Sequence, residues 1–235
     1  MNPPRLRIGV FGGAFNPIHR CHLTIALQTC QRAKLDRILF VPTGDPPHKA
    51  VQSLAPAHHR LEMVRIAIAS EPHFALSEIE VARVNKSYSI DTVRLLRAEL
   101  GTDTDLFFII GLDAFLEVES WRQASDLMRA IHFIVVSRPG LTFAGLARIS
   151  LLSGIEPGAL DAFDSSHSDR VDLPLTSTTR LILLRLPPCD ISASDIRNRL
   201  ATGQSVANLL PDSVRSYILC HGLYREGADR SGNEN

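Results

Sequence analysis

Short apolar runs alternate with helical patterns along most of the chain, and this alternation restricts the fold more than any other feature of the sequence. The strand candidates, which share nearly continuous apolar residues, are Arg7–Phe11, Arg37–Val41, Leu106–Ile110, His132–Val136, Leu181–Leu186 and, more weakly, Phe74–Ser77. The helix candidates, whose apolar residues recur every three to four positions, are Arg20–Ala33, Ala57–Ser70, Ile90–Leu100, Gln123–Ala130, Ala193–Ala201 and Asp212–Cys220. Because strands of this kind are buried on both faces, the pattern predicts a parallel sheet with helices on both sides.

The length of the chain, 235 residues, is enough for one large α/β domain with its own core. We therefore predict a single Rossmann-like, doubly wound α/β domain with a mostly parallel sheet over residues 1–225, in which 191–224 form a small C-terminal helical part. The polar end, 226–235, is expected to be disordered. The stretch Gly154–Thr179 is rich in Ser, Asp, Pro and Gly, and we expect it to be irregular.

Charge and composition argue against several classes of protein. Lys+Arg and Asp+Glu are each 25, so the chain lacks the excess positive charge that is typical of nucleic-acid binding. No apolar run approaches the roughly 20 residues that cross a bilayer, and the N-terminus lacks the apolar core of a signal peptide, so no membrane association is expected. The four cysteines contain no Cys-x-x-Cys pair, which favours free thiols in a reducing cytoplasm. They are Cys21, Cys30, Cys189 and Cys220.

The turn between the first strand and the first helix holds two glycines, a proline and two histidines. Gly12 and Gly13 let the backbone approach a ligand closely, and the N-terminus of the following helix favours an anion. His19 and His22, three residues apart in the first helical turn, can point the same way and donate to phosphate oxygens. Metal binding by the two histidines is another interpretation, but no third ligand lies nearby in the sequence. The turn therefore predicts a phosphate pocket.

Two common phosphate-binding patterns are absent from this turn. Gly9, Gly12 and Gly13 give no G-x-G-x-x-G, and the second strand ends in Val41-Pro42-Thr43 without the acidic residue that binds a ribose. The turn also lacks the G-K-[ST] of a P-loop. An oxidoreductase that binds a dinucleotide is therefore disfavoured.

Further candidates follow the later strands, at the sheet edge where open parallel sheets bind ligands. The loop Pro42–Lys49 is either a stiff connection or a device that presents Lys49 to an anionic group. Asp113 either accepts from a ribose hydroxyl or caps the next helix, and Trp121 is either a core residue or a platform for a planar ring. Arg197 begins a late helix, where it is either exposed or a phosphate clamp.

The segment Ser87–Thr92 predicts a helix start with Ser89 as its cap. This interpretation does not exclude a contact between a ligand and Tyr88 or the N–H groups around it. The later helix start at Ile191–Arg197 is predicted to have Ser192 as its cap.

Two of these segments resemble the signatures of the nucleotidyltransferase superfamily. Gly12–His22, GGAFNPIHRCH, is similar to GG-x-F-x-P-x-H-x-G-H, and Ile191–Arg197 is similar to I-S-x-[ST]-x-x-R. Cys21 stands where the first signature has glycine. Other segments resemble those of bacterial nicotinate-nucleotide adenylyltransferases, over roughly Arg7 to Tyr224: Pro42–Lys49, Tyr88–Thr92, Ile110–Asp113, Trp121, Ser137–Gly140 and Leu210–Tyr224.

The resemblance implies a cytoplasmic transferase of NAD biosynthesis. The phosphate of nicotinate mononucleotide would attack the α-phosphorus of ATP, and nicotinate adenine dinucleotide and pyrophosphate would form without a covalent enzyme intermediate. Catalysis would then consist of positioning and charge stabilisation. Magnesium is expected to arrive with ATP, because no acidic cage for a metal is visible in the sequence.

The resemblance also implies roles for individual residues. The catalytic residues would be His19, His22 and Arg197. The residues that bind ATP would be Gly12, Gly13, Phe15, Asp113, Ser194 and Arg197. The residues that bind nicotinate mononucleotide would be Lys49, Tyr88, Ser89, Trp121 and Arg138.

Two alternatives stay open at this point. The acceptor of the adenylyl group could be another phosphorylated compound, such as nicotinamide mononucleotide or phosphopantetheine. The chain could also be a regulatory module that binds ATP without turnover, with Cys21 as the sign of lost catalysis. A homo-oligomer is left open as well.

Overall fold

A seven-stranded sheet forms the centre of the computed structural model, which describes residues 5–45, 54–83 and 85–225. The strands are β1 (Leu6–Gly13), β2 (Arg37–Pro42), β3 (Phe74–Leu76), β4 (Thr104–Gly111), β5 (His132–Val136), β6 (Arg170–Pro174) and β7 (Arg180–Leu184). Their order across the sheet is β3-β2-β1-β4-β5-β7-β6, and β6 runs antiparallel to β7 while the other described neighbours are parallel. From the centre, β1, β2 and β3 extend the sheet in one direction and β4, β5 and β7 extend it in the other, with β6 at the far edge. This arrangement confirms the predicted doubly wound α/β fold.

Helices cover both faces of this sheet. They are α1 (Arg20–Ala33), α2 (Ala57–Ile68), α3 (Ser89–Leu100), α4 (Leu112–Phe115), α5 (Ala124–Ala130), α6 (Pro157–Ser165), α7 (Ala193–Ala201) and α8 (Asp212–Cys220). Short 3-10 turns lie at Val118–Ser120, Phe143–Arg148 and Ser150–Leu152. Among the described residues, no helix is long and apolar enough to cross a bilayer.

The central strands bury alternate residues in two separate cores. In β4, Phe108 packs into the core formed with α3, α5 and α6, whereas its neighbours Phe107 and Ile109 pack into the core formed with α1, α2, α7 and α8. This two-sided burial explains why the strand sequences are continuously apolar instead of alternating with polar residues.

The prediction of an irregular stretch at Gly154–Thr179 is wrong in part, because α6 and β6 lie within it. α6 buries Leu160 and Phe163 in the core. β6 pairs with β7 on one side and is an edge strand, so its sequence Arg-Val-Asp-Leu-Pro lacks the apolar continuity of a central strand and ends in a proline that an edge tolerates. Arg185 holds the region together by donating to the carbonyl oxygens of Phe163 and Ser166, both at 2.8 Å.

The prediction of four free thiols is also wrong, because Cys21 and Cys189 form a disulfide. The two residues are 168 positions apart in the chain, with their Cα atoms 5.8 Å apart. The fold brings them together because α1 packs beside β7, and Cys189 follows β7 closely. Spacing patterns detect local cysteine pairs and therefore miss this one. The other two thiols are free, Cys30 in the core and Cys220 at the surface.

Candidate active site

A cavity of about 1000 Å³ opens at the carboxyl ends of β1, β4 and β5. Between β1 and β4 the direction in which strands are added to the sheet changes, and doubly wound sheets bind their ligands at the carboxyl ends of the strands at such a point. Every site residue predicted from the sequence that the structure describes lines the cavity: Gly12, Gly13, Phe15, His19, His22, Tyr88, Ser89, Asp113, Trp121, Arg138, Ser194 and Arg197. Lys49, the remaining predicted residue, lies outside the described residues.

Three helices begin at the wall of this cavity. α1 follows its N-cap residue His19, α3 follows Tyr88, and α7 follows Ser192, and all three N-cap residues line the cavity. The first N–H groups of a helix have no partner within the helix, and its N-terminus carries a partial positive charge. The cavity is therefore adapted to molecules with several anionic groups.

The cap predictions have different outcomes at two of these helices. Ser192 caps α7 as predicted, since its hydroxyl oxygen accepts from the N–H of Asp195 at 3.4 Å. The prediction of Ser89 as a cap is wrong, because Tyr88 occupies the N-cap position of α3 and Ser89 is the first helical residue. Tyr88 has an extended backbone there, and it lines the cavity.

The glycine-rich turn is shaped by the ring of Phe15. A Cβ atom at Gly13 would lie 3.3 Å from this ring, which is closer than most Cβ contacts, so any other residue there would require the ring to shift. Phe15 is buried and has a φ of 45°, in the left-handed region that bulky residues rarely adopt. Its ring packs against Phe11 and Phe40, each at 5.8 Å between centroids, and this packing holds the turn in place.

The two histidines of the turn are arranged by one hydrogen bond and by stacking. The main-chain N–H of His19 donates to Nδ1 of His22 at 3.2 Å, and the two rings stack with centroids 3.7 Å apart. Because Nδ1 of His22 accepts, a neutral His22 carries its proton on Nε2. His22 is thus oriented as a donor through Nε2.

His19 has an unusual electrostatic environment. Burial, and secondarily the positive charge of Arg138, lowers the pKa of His19 to about 4. His19 is therefore neutral at physiological pH. It contributes hydrogen-bonding capacity to the cavity wall without adding a charge.

Arg197 connects α7 with the glycine-rich turn. One of its Nη atoms donates to the main-chain oxygen of Asn16 at 2.8 Å. The side-chain oxygen of Asn16 in turn accepts from the hydroxyl of Tyr224 at 2.8 Å and from the N–H of Ala55 at 3.0 Å. Burial raises the pKa of the Tyr224 hydroxyl, which therefore stays protonated as a donor. Sequence reasoning missed the roles of Asn16 and Tyr224.

Asp113 and Arg138 form an ion pair at the end of β4, with Nε and Oδ1 3.1 Å apart. Of the two sequence-based interpretations of Asp113, the helix cap is not observed, because Gly111 is the N-cap of α4 and no side chain caps it. A Cβ atom at Gly111 would collide with the Asp113 carboxylate, so glycine provides the space for this ion pair. More than a third of each side chain is exposed, so both groups are accessible to a ligand.

Aromatic and cationic side chains also meet in the lining of the cavity. The indole of Trp121 contacts Phe108 edge to face, with centroids 6.0 Å apart, so Trp121 is partly a core residue and partly a lining residue. The guanidinium of Arg122 lies 4.7 Å from the ring centre of Tyr88, which is a cation–π distance. Arg122 lines the cavity too and was missed in the sequence, although it directly follows Trp121.

A buried carboxyl, Glu80, also lines the cavity without having been predicted. Its Oε1 accepts from the hydroxyl of Thr92 at 2.7 Å. Burial raises the pKa of Glu80, and the hydrogen bond from Thr92 opposes this effect. Its surroundings in the sequence have neither a helical nor a strand period, which left no pattern by which to find it. Within the described ranges, no three His, Cys, Asp or Glu side chains are grouped so as to hold a metal ion.

The fold and the site define a cytidylyltransferase-like protein, and the model of that family, described as "Cytidylyltransferase-like", matches residues 10–199. A relative from Pelobacter propionicus, named a probable nicotinate-nucleotide adenylyltransferase, is 42% identical over 94% of this chain and 99% of its own length. A relative of the same name from Acidothermus cellulolyticus is 39% identical over 96% and 97% of the two chains. The chain therefore belongs to the nicotinate-nucleotide adenylyltransferase family.

Solved structures share the fold at much lower sequence identity. Plasmodium falciparum nicotinic acid mononucleotide adenylyltransferase complexed with NaAD aligns with a TM-score of 0.68 at 19% identity, over 93% of this chain and 97% of the other. The same enzyme complexed with APC aligns with a TM-score of 0.67. This similarity confirms the architecture.

Proposed function

We propose that this chain transfers the adenylyl group of ATP to nicotinate mononucleotide, giving nicotinate adenine dinucleotide and pyrophosphate in NAD biosynthesis. The observation that carries the proposal is the convergence of the two signature segments, one before α1 and one before α7, on a single cavity. The relatives of the same name over nearly the full length support it. The proposed functional unit is residues 1–225, in which 191–224 supply the second signature.

ATP is proposed to lie between α1 and α7. Its phosphates would accept hydrogen bonds from Nε2 of His22, from His19 and from the guanidinium of Arg197. Ser194, whose hydroxyl lies 2.6 Å from that of Ser192, adds a neutral donor at the start of α7. The turn at Gly12, Gly13 and Phe15 would receive the nucleotide through its main chain, and Asp113 would accept from the adenosine ribose.

Nicotinate mononucleotide is proposed to lie at the start of α3. The planar ring would stack in the region of Tyr88 and Trp121, and the carboxylate would meet N–H groups near Ser89, at a helix N-terminus that favours an anion. Arg138 and Lys49 would contact the mononucleotide phosphate. Arg138 faces the cavity in the structure, whereas the role of Lys49 stays a prediction from the sequence.

The proposed reaction does not need a residue of the protein to act as a general base. A phosphate oxygen of nicotinate mononucleotide attacks the α-phosphorus, the bond to the bridging oxygen of the β-phosphate breaks, and pyrophosphate leaves. Because the attacking oxygen is already anionic, no proton has to be removed from it. Fixed donors that stabilise the growing negative charge account for catalysis. A divalent metal, with magnesium as the expected ion, would arrive bound to the phosphates of ATP.

The place of this reaction is proposed to be the cytoplasm, where ATP is available. Disulfides are uncommon there and are most often transient or redox-sensing. The Cys21–Cys189 bond is compatible with this location if it forms and breaks in use. Association of identical chains stays a prediction.

A comparison of acceptors tests the proposed function. With ATP constant, pyrophosphate release is measured with nicotinate mononucleotide, nicotinamide mononucleotide and phosphopantetheine. We expect kcat/KM to be highest for nicotinate mononucleotide by at least about tenfold, because a site with donors for the carboxylate discriminates against an amide. A preference for phosphopantetheine would refute the assignment. ATP binding in titrations, without pyrophosphate release from ATP in the presence of any of the three acceptors, would favour the regulatory module.

A further inference from the structure

Arg60 is a fully buried arginine beneath the site, with 1% of its surface exposed. Each hydrogen bond that its guanidinium makes to the described residues goes to a main-chain carbonyl oxygen. Nε donates to Ala55 at 2.9 Å, Nη1 donates to Ala14 at 2.8 Å and Thr43 at 2.7 Å, and Nη2 donates to Gly44 at 2.9 Å. Burial lowers the pKa of Arg60, yet arginine keeps its charge in proteins.

The four carbonyl groups belong to segments that serve different substrates in the proposed reaction. Ala14 lies in the glycine-rich turn that would receive ATP. Thr43 and Gly44 follow β2 and begin the loop that leads to Lys49. The N–H of Ala55 donates to the side-chain oxygen of Asn16, and the main-chain oxygen of Asn16 accepts from Arg197. The Arg60 side chain thus fixes the distance between the glycine-rich turn, which would receive ATP, and the start of the loop after β2, which would serve nicotinate mononucleotide.

The loop segment that Arg60 holds also contacts the residues around Glu80 and Tyr88, which line the cavity where nicotinate mononucleotide would lie. A Cβ atom at Gly44 would collide with the main-chain oxygen of Glu80, so the loop held by Arg60 lies directly against the Glu80 segment. The N–H of Ser87 donates to the main-chain oxygen of Asp45 at 3.0 Å, immediately before Tyr88. Arg60 itself does not line the cavity, whereas Ala14, Thr43, Glu80 and Tyr88 do.

We propose that Arg60 is a positioning residue that sets the relative placement of the two substrates. The inference rests on the proposed function, because it assigns one substrate to each segment. A planar fork of five N–H donors reaches several carbonyl groups at once, which a lysine ammonium cannot do. Since a misplacement of about 1 Å can lower the rate of such a step roughly a hundredfold, loss of this clamp lowers the rate of the chemical step more than it weakens the binding of either substrate.

The test compares Arg60→Lys with Arg65→Lys, a matched control on the same helix whose side chain is half exposed and paired with Glu62 and Glu78. We expect kcat of Arg60→Lys, per folded molecule by circular dichroism, to fall at least about tenfold while KM for each substrate changes less than about threefold. Arg65→Lys should match the wild type. A residue important only for stability would lower the melting temperature without this fall in kcat.

A second variant keeps the test decisive. Arg60→Ala should regain part of its kcat when guanidinium chloride is added at millimolar concentration, because the free cation can occupy the vacated position. Unchanged kcat in Arg60→Lys, no rescue of Arg60→Ala, or failure of both variants to fold at low temperature would overturn the positioning role. If the wild type and Arg65→Lys form no dinucleotide, the proposed function fails instead.

A different observation carries a second inference, which concerns the disulfide. Cys21 lies between His19 and His22 in α1, and Cys189 lies three residues before Ser192, the cap of α7. The bond therefore joins the two segments that would hold the ATP phosphates. Cys21 is buried, whereas Cys189 is half-buried with an exposed residue on either side, so Cys189 is the more accessible of the two residues to a small dithiol.

We propose that this disulfide makes the ATP site sensitive to the redox state of its surroundings. A dithiol attacks the Sγ of Cys189, the bond to Cys21 breaks, and the reductant leaves as a cyclic disulfide after its second thiol displaces Cys189. Two electrons and two protons pass to the pair of cysteines. Reduction removes the covalent link between α1 and the segment before α7, and the hydrogen bond from Arg197 to the main-chain oxygen of Asn16 stays as a non-covalent connection between α7 and the glycine-rich turn.

Enzyme kinetics with oxidised and reduced protein test this inference. We expect dithiothreitol to raise KM for ATP at least about threefold, with little change in KM for nicotinate mononucleotide, because a site that must order itself binds more weakly. Cys189→Ser should have the raised KM without reductant and should not respond to it. Cys220→Ser, which removes an exposed free thiol, should respond as the wild type does.

Thiol counting completes the experiment. Denatured protein should show two free thiols before reduction and four after it, since the chain has four cysteines and one disulfide. Four free thiols in air-oxidised protein would overturn the inference. So would equal KM values for ATP in the oxidised and reduced states.

Discussion

Replacement of His22 by alanine is expected to lower kcat by at least about a hundredfold, equivalent to about 3 kcal/mol of activation free energy. His22 lines the cavity, and the hydrogen bond from the N–H of His19 to its Nδ1 holds the ring and fixes the proton on Nε2. A donor that is already oriented costs no reorganisation when negative charge grows on the phosphates. Its removal therefore acts on the transition state.

The expected signature of His22→Ala is a loss in kcat with a smaller change in KM for ATP, measured by pyrophosphate release at saturating substrates. His73→Ala is the control, because His73 is exposed and does not line the cavity. It should keep the activity of the wild type. If kcat of His22→Ala stayed within about threefold of the wild type, the residue would not stabilise the transition state as proposed.

His22→Asn refines this test. An asparagine amide retains a donor at the helix start, but it is shorter than imidazole and cannot stack on His19 as the native ring does at 3.7 Å. We therefore expect activity between those of the wild type and His22→Ala. This order would show that donor position, in addition to donor presence, determines the rate.

The central elements of the fold could be predicted because their sequence patterns are strong. β4 and β5 are continuously apolar since both faces are buried, and the helical period of α1 and α3 places apolar residues such as Ala26 and Val93 in the two cores. β6 could not be predicted in the same way. It is an edge strand, and its sequence reflects pairing on one side and solvent exposure on the other.

The cavity could be anticipated because its residues lie in short local segments at the ends of strands. Side chains that act through the main chain of distant segments left no such pattern. Arg60 reaches Ala14, 46 positions away, and Tyr224 reaches Asn16, 208 positions away. Such contacts depend on how whole elements pack. The sequence shows only an arginine on the apolar face of α2 beside Met63 and Val64, and a tyrosine near the end of the chain.

Cys21 belongs both to a local sequence motif and to a contact between distant segments. In the sequence it is a departure from a signature glycine, and one interpretation of that departure is lost catalysis. In the structure it has a partner, Cys189, two residues before the second signature begins. The departure is thus explained by a bond between the first signature and the segment that leads into the second, which neither segment reveals alone.

Replacement of Arg197 by alanine is expected to lower kcat/KM for ATP by about two orders of magnitude or more. Its guanidinium lines the cavity and uses one donor to hold the main-chain oxygen of Asn16, which leaves other N–H groups of the fork to meet phosphate oxygens. Alanine removes the charge, the fork and the connection between α7 and the glycine-rich turn. KM for nicotinate mononucleotide should change less than about threefold, because that substrate would lie beside α3.

Two further variants separate phosphate binding from the structural connection. Arg197→Lys keeps a positive charge without the planar fork, so its kcat/KM for ATP should fall between those of the wild type and Arg197→Ala. Arg199→Ala is the matched control, since Arg199 is two residues further along α7, is paired with Asp195 at 2.8 Å and does not line the cavity. Pyrophosphate release as a function of ATP concentration measures all three. An equal loss in Arg197→Ala and Arg199→Ala would indicate general damage to α7, whereas a loss confined to Arg197, with an unchanged melting temperature, would identify it as the phosphate clamp.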